Sequence, residues 1–336
     1  MGLLNTFRHQ YTSLPITLTQ EQCSGKTYIV TGANIGIGLE CAKHLVRLQS
    51  KRVILAVRSE SRGKTALAEL ESETGRPGVA EVWMLDLSSF GSIKAFVNRV
   101  EAQLDRVDGL ISNAAAASAE WTLNEGIEST VAVNVVGTML LSVLMLPYLK
   151  SFAQRSGTKP VMNIVTSDLG FVRQEDLRKM DQKNIFSDIS DSRKWTIDGT
   201  NRYAFSKLLQ IYAIRQFATL APVSKTGVII NYLSPGLCNT GLTRYYDDGV
   251  KVMVAVLRGV MGRSAEWGSR NLLYAVSLGE ESHGKYISYC EIVEKELPSF
   301  ITDASGRELG EKIWDQLVVE LERAQPGCVK KALYEN

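Results

Sequence analysis

The stretch Thr31-Gly32-Ala33-Asn34-Ile35-Gly36-Ile37-Gly38 constrains this chain more than any other. It lies between a short apolar, β-branched run at 27–31 (TYIVT) and a stretch at 37–48 with helical periodicity. Glycines at such a junction let the backbone turn tightly, approach a pyrophosphate and pack the helix against the sheet. The helix N-terminus, with its unpaired amides and positive dipole end, favours phosphate charge there. The spacing is G-x-x-x-G-x-G, not the general G-x-G-x-x-G. Glycines also mark ordinary turns. It is the strand–loop–helix setting that makes Gly32, Asn34, Gly36, Ile37 and Gly38 candidate contacts to a dinucleotide.

The same alternation continues down the chain. Strands are expected at 52–57, 79–85, 109–112, 161–166 and 227–232, with a seventh at 285–288. Helices are expected at 61–74, 89–104, 125–149 and 202–220. Alternating strands and helices imply a parallel sheet covered on both faces. The expected fold class is therefore α/β, a Rossmann-type doubly wound parallel sheet of about seven strands. No repeat or linker interrupts residues 1–336, which read as one domain with peripheral arms at 1–24 and 325–336.

Composition narrows the function classes. Of 336 residues 45% are hydrophobic, enough for a large core, and the net charge of +2 is spread without clusters, so no nucleic-acid footprint is expected. Cys23, Cys41, Cys238, Cys290 and Cys328 are odd in number and widely spaced, which suits a reducing, cytoplasmic setting and no metal site. Residues 1–14 lack a secretory leader pattern. The longest apolar run, 135–149, is shorter than the ~20 residues of a membrane span and reads as a buried helix. The helix at 125–149 is also the candidate surface for a homodimer.

Cofactor choice is read at the end of the second strand. An NAD site tends to place an acid there to hold the ribose 2′-hydroxyl. This chain has Ala56-Val57-Arg58-Ser59 instead. Arg58 can pair bidentately with a 2′-phosphate, and Arg62 and Lys64 add positive charge, so NADPH/NADP+ is expected. A solvated basic turn would use the same residues.

The chemical end is Tyr203-Ala204-Phe205-Ser206-Lys207, which places Tyr203 and Lys207 four apart on one helical face. A free tyrosine titrates near ~10, and an adjacent ammonium favours its phenolate. Ser167 ends a strand on the edge where open α/β sheets bind ligands, and its hydroxyl could hold a substrate oxygen or cap a turn. Asn134 interrupts an apolar helix, so its amide needs a specific partner, structural or catalytic.

Together these pieces resemble the short-chain dehydrogenase/reductase family over about 25–288. The matching stretches are TGANIGIG (31–38), Asp86-Leu87, Ser112-Asn113-Ala114-Ala115, Asn134, Ser167, YAFSK (203–207), and Ser234-Pro235-Gly236 followed by Thr240. The resemblance implies that Asp86 and Leu87 lie at the adenine and that Asn113 supports the cofactor. It implies that Ser167 binds the substrate oxygen and that Tyr203 donates the proton. Lys207 would hold the nicotinamide ribose, and Asn134 would position a water in the proton relay. Pro235, Gly236 and Thr240 would pass near the nicotinamide carboxamide. GLCNTGLTR (236–244), SHGKYIS (282–288) and IWDQL (313–317) are similar to retinol-dehydrogenase-like and fungal secondary-metabolite members. Such relatives act on hydrophobic carbonyl or imine compounds, including those of alkaloid and polyketide pathways, and a few have become cyclases.

Four features set this chain apart and bear on its cofactor and substrate pockets. Ala115 stands where the family has glycine, and Asp168 follows Ser167 directly, where a carboxylate could meet a cationic substrate or simply be solvated. The long segment 171–200, with Phe186, Trp195 and Ile197, is a candidate substrate wall or lid. Residues 242–260, with Tyr245 and Tyr246, read as an amphipathic lid, dimer or core helix. The leading expectation is an NADPH-dependent reductase of a hydrophobic small molecule. The alternative is a redox-neutral cyclase (Pictet-Spengler or cycloaddition type) on the same scaffold, favoured by Asp168 and the enlarged loops.

Overall fold

A computed structural model describes residues 12–118, 120–195, 197–239 and 262–335. Thr240, Tyr245, Tyr246 and the lid expected at 242–260 lie outside the described residues.

The first half alternates as the periodicity predicts. β1 (Thr27–Thr31), α1 (Gly36–Arg47), β2 (Arg52–Val57), α2 (Glu60–Thr74), β3 (Ala80–Met84), α3 (Phe90–Gln103) and β4 (Gly109–Ser112) follow in order. All of β1 and β4 is buried, as expected of strands covered on both faces. α2 and α3 begin on Ser59 and Ser89, whose side chains accept from the third helical amide. α1 begins on Ile35, which supplies no side-chain cap, so its first-turn amides keep their donor capacity.

The helix expected at 125–149 is not continuous. A small antiparallel hairpin, β5 (Leu123–Asn124) and β6 (Ile127–Glu128), precedes it, turning through Glu125 at φ 52° and Gly126 at φ 79°. A short helical turn (Ser129–Val131) and a π-helical turn (Ala132–Gly137) follow, and then α4 (Thr138–Ser156). Only glycine fits at 137, because a Cβ there would run into the Leu87 carbonyl oxygen. That close approach sets the Asn134 segment beside Asp86 and Leu87. The span Ser129–Ser156 is long and apolar enough to cross a membrane, but 94% of its apolar window is buried within the chain. The apolar surface of that window is therefore largely covered within this chain.

The second half adds β7 (Val161–Val165), a 3-10 turn (Asp168–Arg173), α5 (Gly199–Leu220), β8 (Ile229–Ser234), α6 (Ala265–Ser277), β9 (Tyr286–Ser288), β10 (Glu291–Ile292), α7 (Ala304–Ala324) and α8 (Cys328–Leu333). The main sheet runs β10-β9-β8-β7-β4-β1-β2-β3. It is parallel except for β10, a short antiparallel edge strand that makes an eighth beyond the seven expected. The order reverses between β1 and β4, which opens a crevice at the carboxyl ends of those strands.

Two segments expected at the periphery pack inward. In the C-terminal arm, Cys328, Val329 and Ala332 are buried in the main core, and in the N-terminal one Leu14, Leu18 and Cys23 are buried. Their apolar side chains find partners that sequence periodicity cannot name. The segment 171–200, expected as a substrate wall, likewise sends Ile185, Phe186, Ile189 and Trp195 into the core. The Trp195 ring lies 4.7 Å from that of Phe205, on the side of α5 that faces away from the crevice lining.

Candidate functional site

The crevice is a cavity of about 590 Å³. Gly32, Asn34, Gly36 and Ile37 form its floor, with Arg58, Asp86 and Leu87 at one end and Asn113 in the middle. Ser167, Tyr203, Lys207, Pro235 and Gly236 line the other end. Six strand ends, the first turn of α1, the helix α5 and their loops thus bring together residues up to about two hundred positions apart in the sequence.

The glycine loop is held by close backbone approach. Gly32 has φ 67°, and a Cβ there would sit 2.9 Å from the Ala114 Cα. A Cβ on Gly38 would sit 2.5 Å from Asn113 Nδ2, so this glycine packs the helix onto the loop rather than lining the cavity. Asn113 Nδ2 donates to the Thr31 carbonyl at 3.0 Å, and the Ala114 amide donates to Thr31 Oγ1 at 2.9 Å. These bonds join the ends of β1 and β4 across the crevice. The glycine turn and the N-terminus of α1, which has no side-chain cap, fit a pyrophosphate. Arg58 and Arg62 lie at the β2 end of the cavity. Lys64 is paired with Glu60 at 2.7 Å and is not among the lining residues.

At the other end, Tyr203 and Lys207 share a face of α5, with Lys207 Nζ 5.8 Å from the Tyr203 ring centre. Lys207 is almost fully buried. Its amine donates to the Val165 carbonyl at 3.0 Å and to Gln210 Oε1 at 2.9 Å. Burial penalises the ammonium and lowers its pKa to about 7. Ser167 both caps and lines: its Oγ accepts from the Leu169 amide at 3.3 Å while the residue faces the cavity.

Asn134 lies behind the cavity wall, fully buried in the π-helical turn. Its Oδ1 accepts from the Ala116 amide at 2.8 Å, and its Nδ2 donates to the Ala116 carbonyl and to Ser206 Oγ, both at 2.9 Å. The amide thereby fixes the Ala115–Ala117 wall against α5. Asp168 departs from expectation. Among the described residues it does not line the cavity; its carboxylate accepts from Ser234 Oγ at 3.4 Å. Burial raises its pKa above the ordinary carboxylate range. The 3-10 turn that starts at Ser167 points successive side chains to different sides, so Leu169 rather than Asp168 reaches the cavity.

Sequence reasoning missed the hairpin side of the cavity, where Ser118, Thr122 and Asn124 contribute. The Asn124-Glu125-Gly126 turn signal was its one local trace. Leu169 also lines the cavity and carried no motif, while Leu237 and Cys238 line it from within the GLCNTGLTR stretch.

A family model described as short chain dehydrogenase matches residues 26–177. The short chain dehydrogenase/reductase dmxR8 of Cryptosporiopsis sp. is 37% identical over 305 residues, 90% of this chain and 93% of that protein. The short chain dehydrogenase sol3 of Alternaria solani is 37% identical over 290 residues, 85% of this chain and 97% of its own. Among solved structures, the NADPH-bound carbonyl reductase from chicken fatty liver has a TM-score of 0.59 at 21% identity, covering 80% of this chain and 99% of its own. A short chain dehydrogenase from Shigella flexneri complexed with NADP has a TM-score of 0.56 at 18% identity, covering 82% and 100%. At these identities the solved structures speak to the fold alone.

Proposed function

Because this chain belongs to the short chain dehydrogenase family of oxidoreductases, we propose that it is an NADPH-dependent reductase acting on a carbonyl or imine of a hydrophobic small molecule. The observation that carries this reading is the sharing of one cavity by the glycine loop, Arg58 and the Ser167, Tyr203 and Lys207 side chains. In this reading Gly32, Asn34, Gly36, Ile37 and the α1 amides hold the pyrophosphate, Arg58 pairs with the 2′-phosphate, and Asp86 and Leu87 flank the adenine. Bound NADPH supplies the hydride. Ser167 donates a hydrogen bond to the substrate oxygen and Tyr203 gives it a proton, while Lys207 steadies the phenolate and the ribose.

Leu169 and Val172 support an apolar substrate. They are 51% and 66% exposed and stand three apart on a 3-10 turn, hence on one face, at the cavity mouth that Leu169 lines. Fungal relatives such as that of Alternaria solani favour a place in secondary-metabolite biosynthesis. Five free, buried cysteines favour the cytoplasm. The cyclase alternative rested on Asp168, whose carboxylate is engaged with Ser234, and on the enlarged loops, of which 171–200 sends Phe186 and Trp195 into the core. The test is product analysis with NADPH deuterated at the transferable position. One NADPH oxidised per product, with label in the product, is expected. Product formed without label and without NADPH oxidation would remove the reductase reading.

A further inference from the structure

The family resemblance calls for a water beside Asn134 in the proton relay, but this chain fills that place with a side chain. Gln210 Nε2 donates to the Asn134 carbonyl at 2.6 Å, and Gln210 Oε1 accepts from Lys207 Nζ at 2.9 Å. Gln210, Asn134 and Lys207 are 1%, 0% and 1% exposed. The orientation of the Gln210 amide is dictated by its partners. The Asn134 carbonyl can only accept, so the amide nitrogen must face Asn134, and the amide oxygen then turns to Lys207 Nζ.

The Gln210 amide takes the Asn134 carbonyl and the Lys207 donor that a water in that gap would use. A buried water needs two to four polar partners. Both hydrogens and the oxygen of the Asn134 amide are engaged by Ala116 and Ser206, and two of the three Lys207 donors go to Val165 and Gln210. The third donor remains for the cavity. A neutral amide also differs from water in kind: it accepts at oxygen and donates at nitrogen, so passing a proton through it would require a charged or imidic form.

We propose that Gln210 is a positioning residue that replaces the relay water and shuts the interior side of Lys207 to protons. The proton consumed in each reduction then reaches Tyr203 from the cavity. Each turnover adds one hydride to carbon and one proton to oxygen. The Tyr203 phenolate left behind is reprotonated from solvent through the cavity mouth. This rests on the reductase reading, yet the occupancy of the Lys207–Asn134 gap can be examined without turnover.

The experiment compares wild type, Gln210→Ala and Gln210→Leu. Crystal structures with NADP+, at a resolution that shows ordered water, should find none between Lys207 Nζ and the Asn134 carbonyl in wild type, and one in Gln210→Ala. Single-turnover reduction of 9,10-phenanthrenequinone, in mixtures of light and heavy water, should depend linearly on deuterium fraction for wild type. It should curve for Gln210→Ala, where a water chain adds moving protons. Gln210→Leu offers neither amide nor room for water, and its rate should fall at least about tenfold, with Gln210→Ala recovering most of it. A purely structural glutamine would leave the proton inventory unchanged in Gln210→Ala. An ordered water in the wild-type gap, or a curved wild-type inventory, overturns the proposal. Should Gln210→Leu fail to fold, the wild-type and Gln210→Ala structures still decide it. If wild type oxidises no NADPH with any carbonyl, the reductase reading fails, while the water positions still judge Gln210 by itself.

Discussion

Arg202 and Glu128 form an ion pair at 3.3 Å between side chains that are 6% and 0% exposed. The Glu128 carboxylate also accepts from the Thr130 and Val131 amides at 3.0 Å each, and Arg202 donates to the carbonyls of Ile197 at 2.9 Å and Ser118 at 3.1 Å. The residue preceding Tyr203 is thus tied to the turn that leads into Asn134 and to the Ser118 wall of the cavity. Removing one member of a buried pair strands the other, so Glu128→Ala should cost about 3 kcal/mol in urea denaturation. A loss below about 1 kcal/mol would mean that the pair behaves like a solvated one.

Arg58 stands at the cavity end of β2 with no acid beside it in the strand terminus. Wild type should bind NADPH at least about tenfold more tightly than NADH, equivalent to ~1.4 kcal/mol. Arg58→Asp should narrow or reverse that preference. Titration of nicotinamide fluorescence measures both affinities, and equal wild-type values would defeat the assignment.

Tyr203→Phe keeps the ring in its contact with Ala117 and removes only the hydroxyl. Turnover should fall at least about a hundredfold, as for loss of a general acid, with NADPH affinity little changed. Near-normal turnover would exclude Tyr203 as the proton donor.

Lys207 should leave a mark on the pH dependence of stability. The Val165 carbonyl, the Gln210 amide and the Tyr203 ring face its amine, and burial brings its pKa from the ordinary 10.5 to about 7. Between those values the unfolded chain holds a proton that the folded chain does not, so stability gains as pH rises through that window. The gain is absent below about pH 7, where both states are protonated. Wild type should therefore gain on Lys207→Met between pH 7 and pH 10 in paired denaturation curves. A difference that stays flat across the window would show that the ammonium is not desolvated.

Much of the site was legible because its chemistry is carried by local spacing. The glycine loop declares itself between a β-branched run and a helical period, and Tyr203 and Lys207 declare a shared face by standing four apart. The region 123–137 was not legible as it folds. Its apolar residues satisfy a helical period, while the hairpin and π-helical turn depend on the Leu87 carbonyl lying against Gly137. The inward packing of Trp195 depends in the same way on Phe205.

By itself the sequence determined the alternating elements, the strand-to-helix loop and the residues able to handle a phosphate, a proton and a carbonyl oxygen. Those depend on backbone preferences and periodicities that act within a few residues. Only the tertiary structure decided where each side chain points. Asp168 meets Ser234, 66 positions away, instead of the cavity, and Gln210 reaches Asn134, 76 positions away, instead of solvent. A buried polar group must find a partner, and which partner stands within reach is settled by how distant segments pack, which no local pattern encodes.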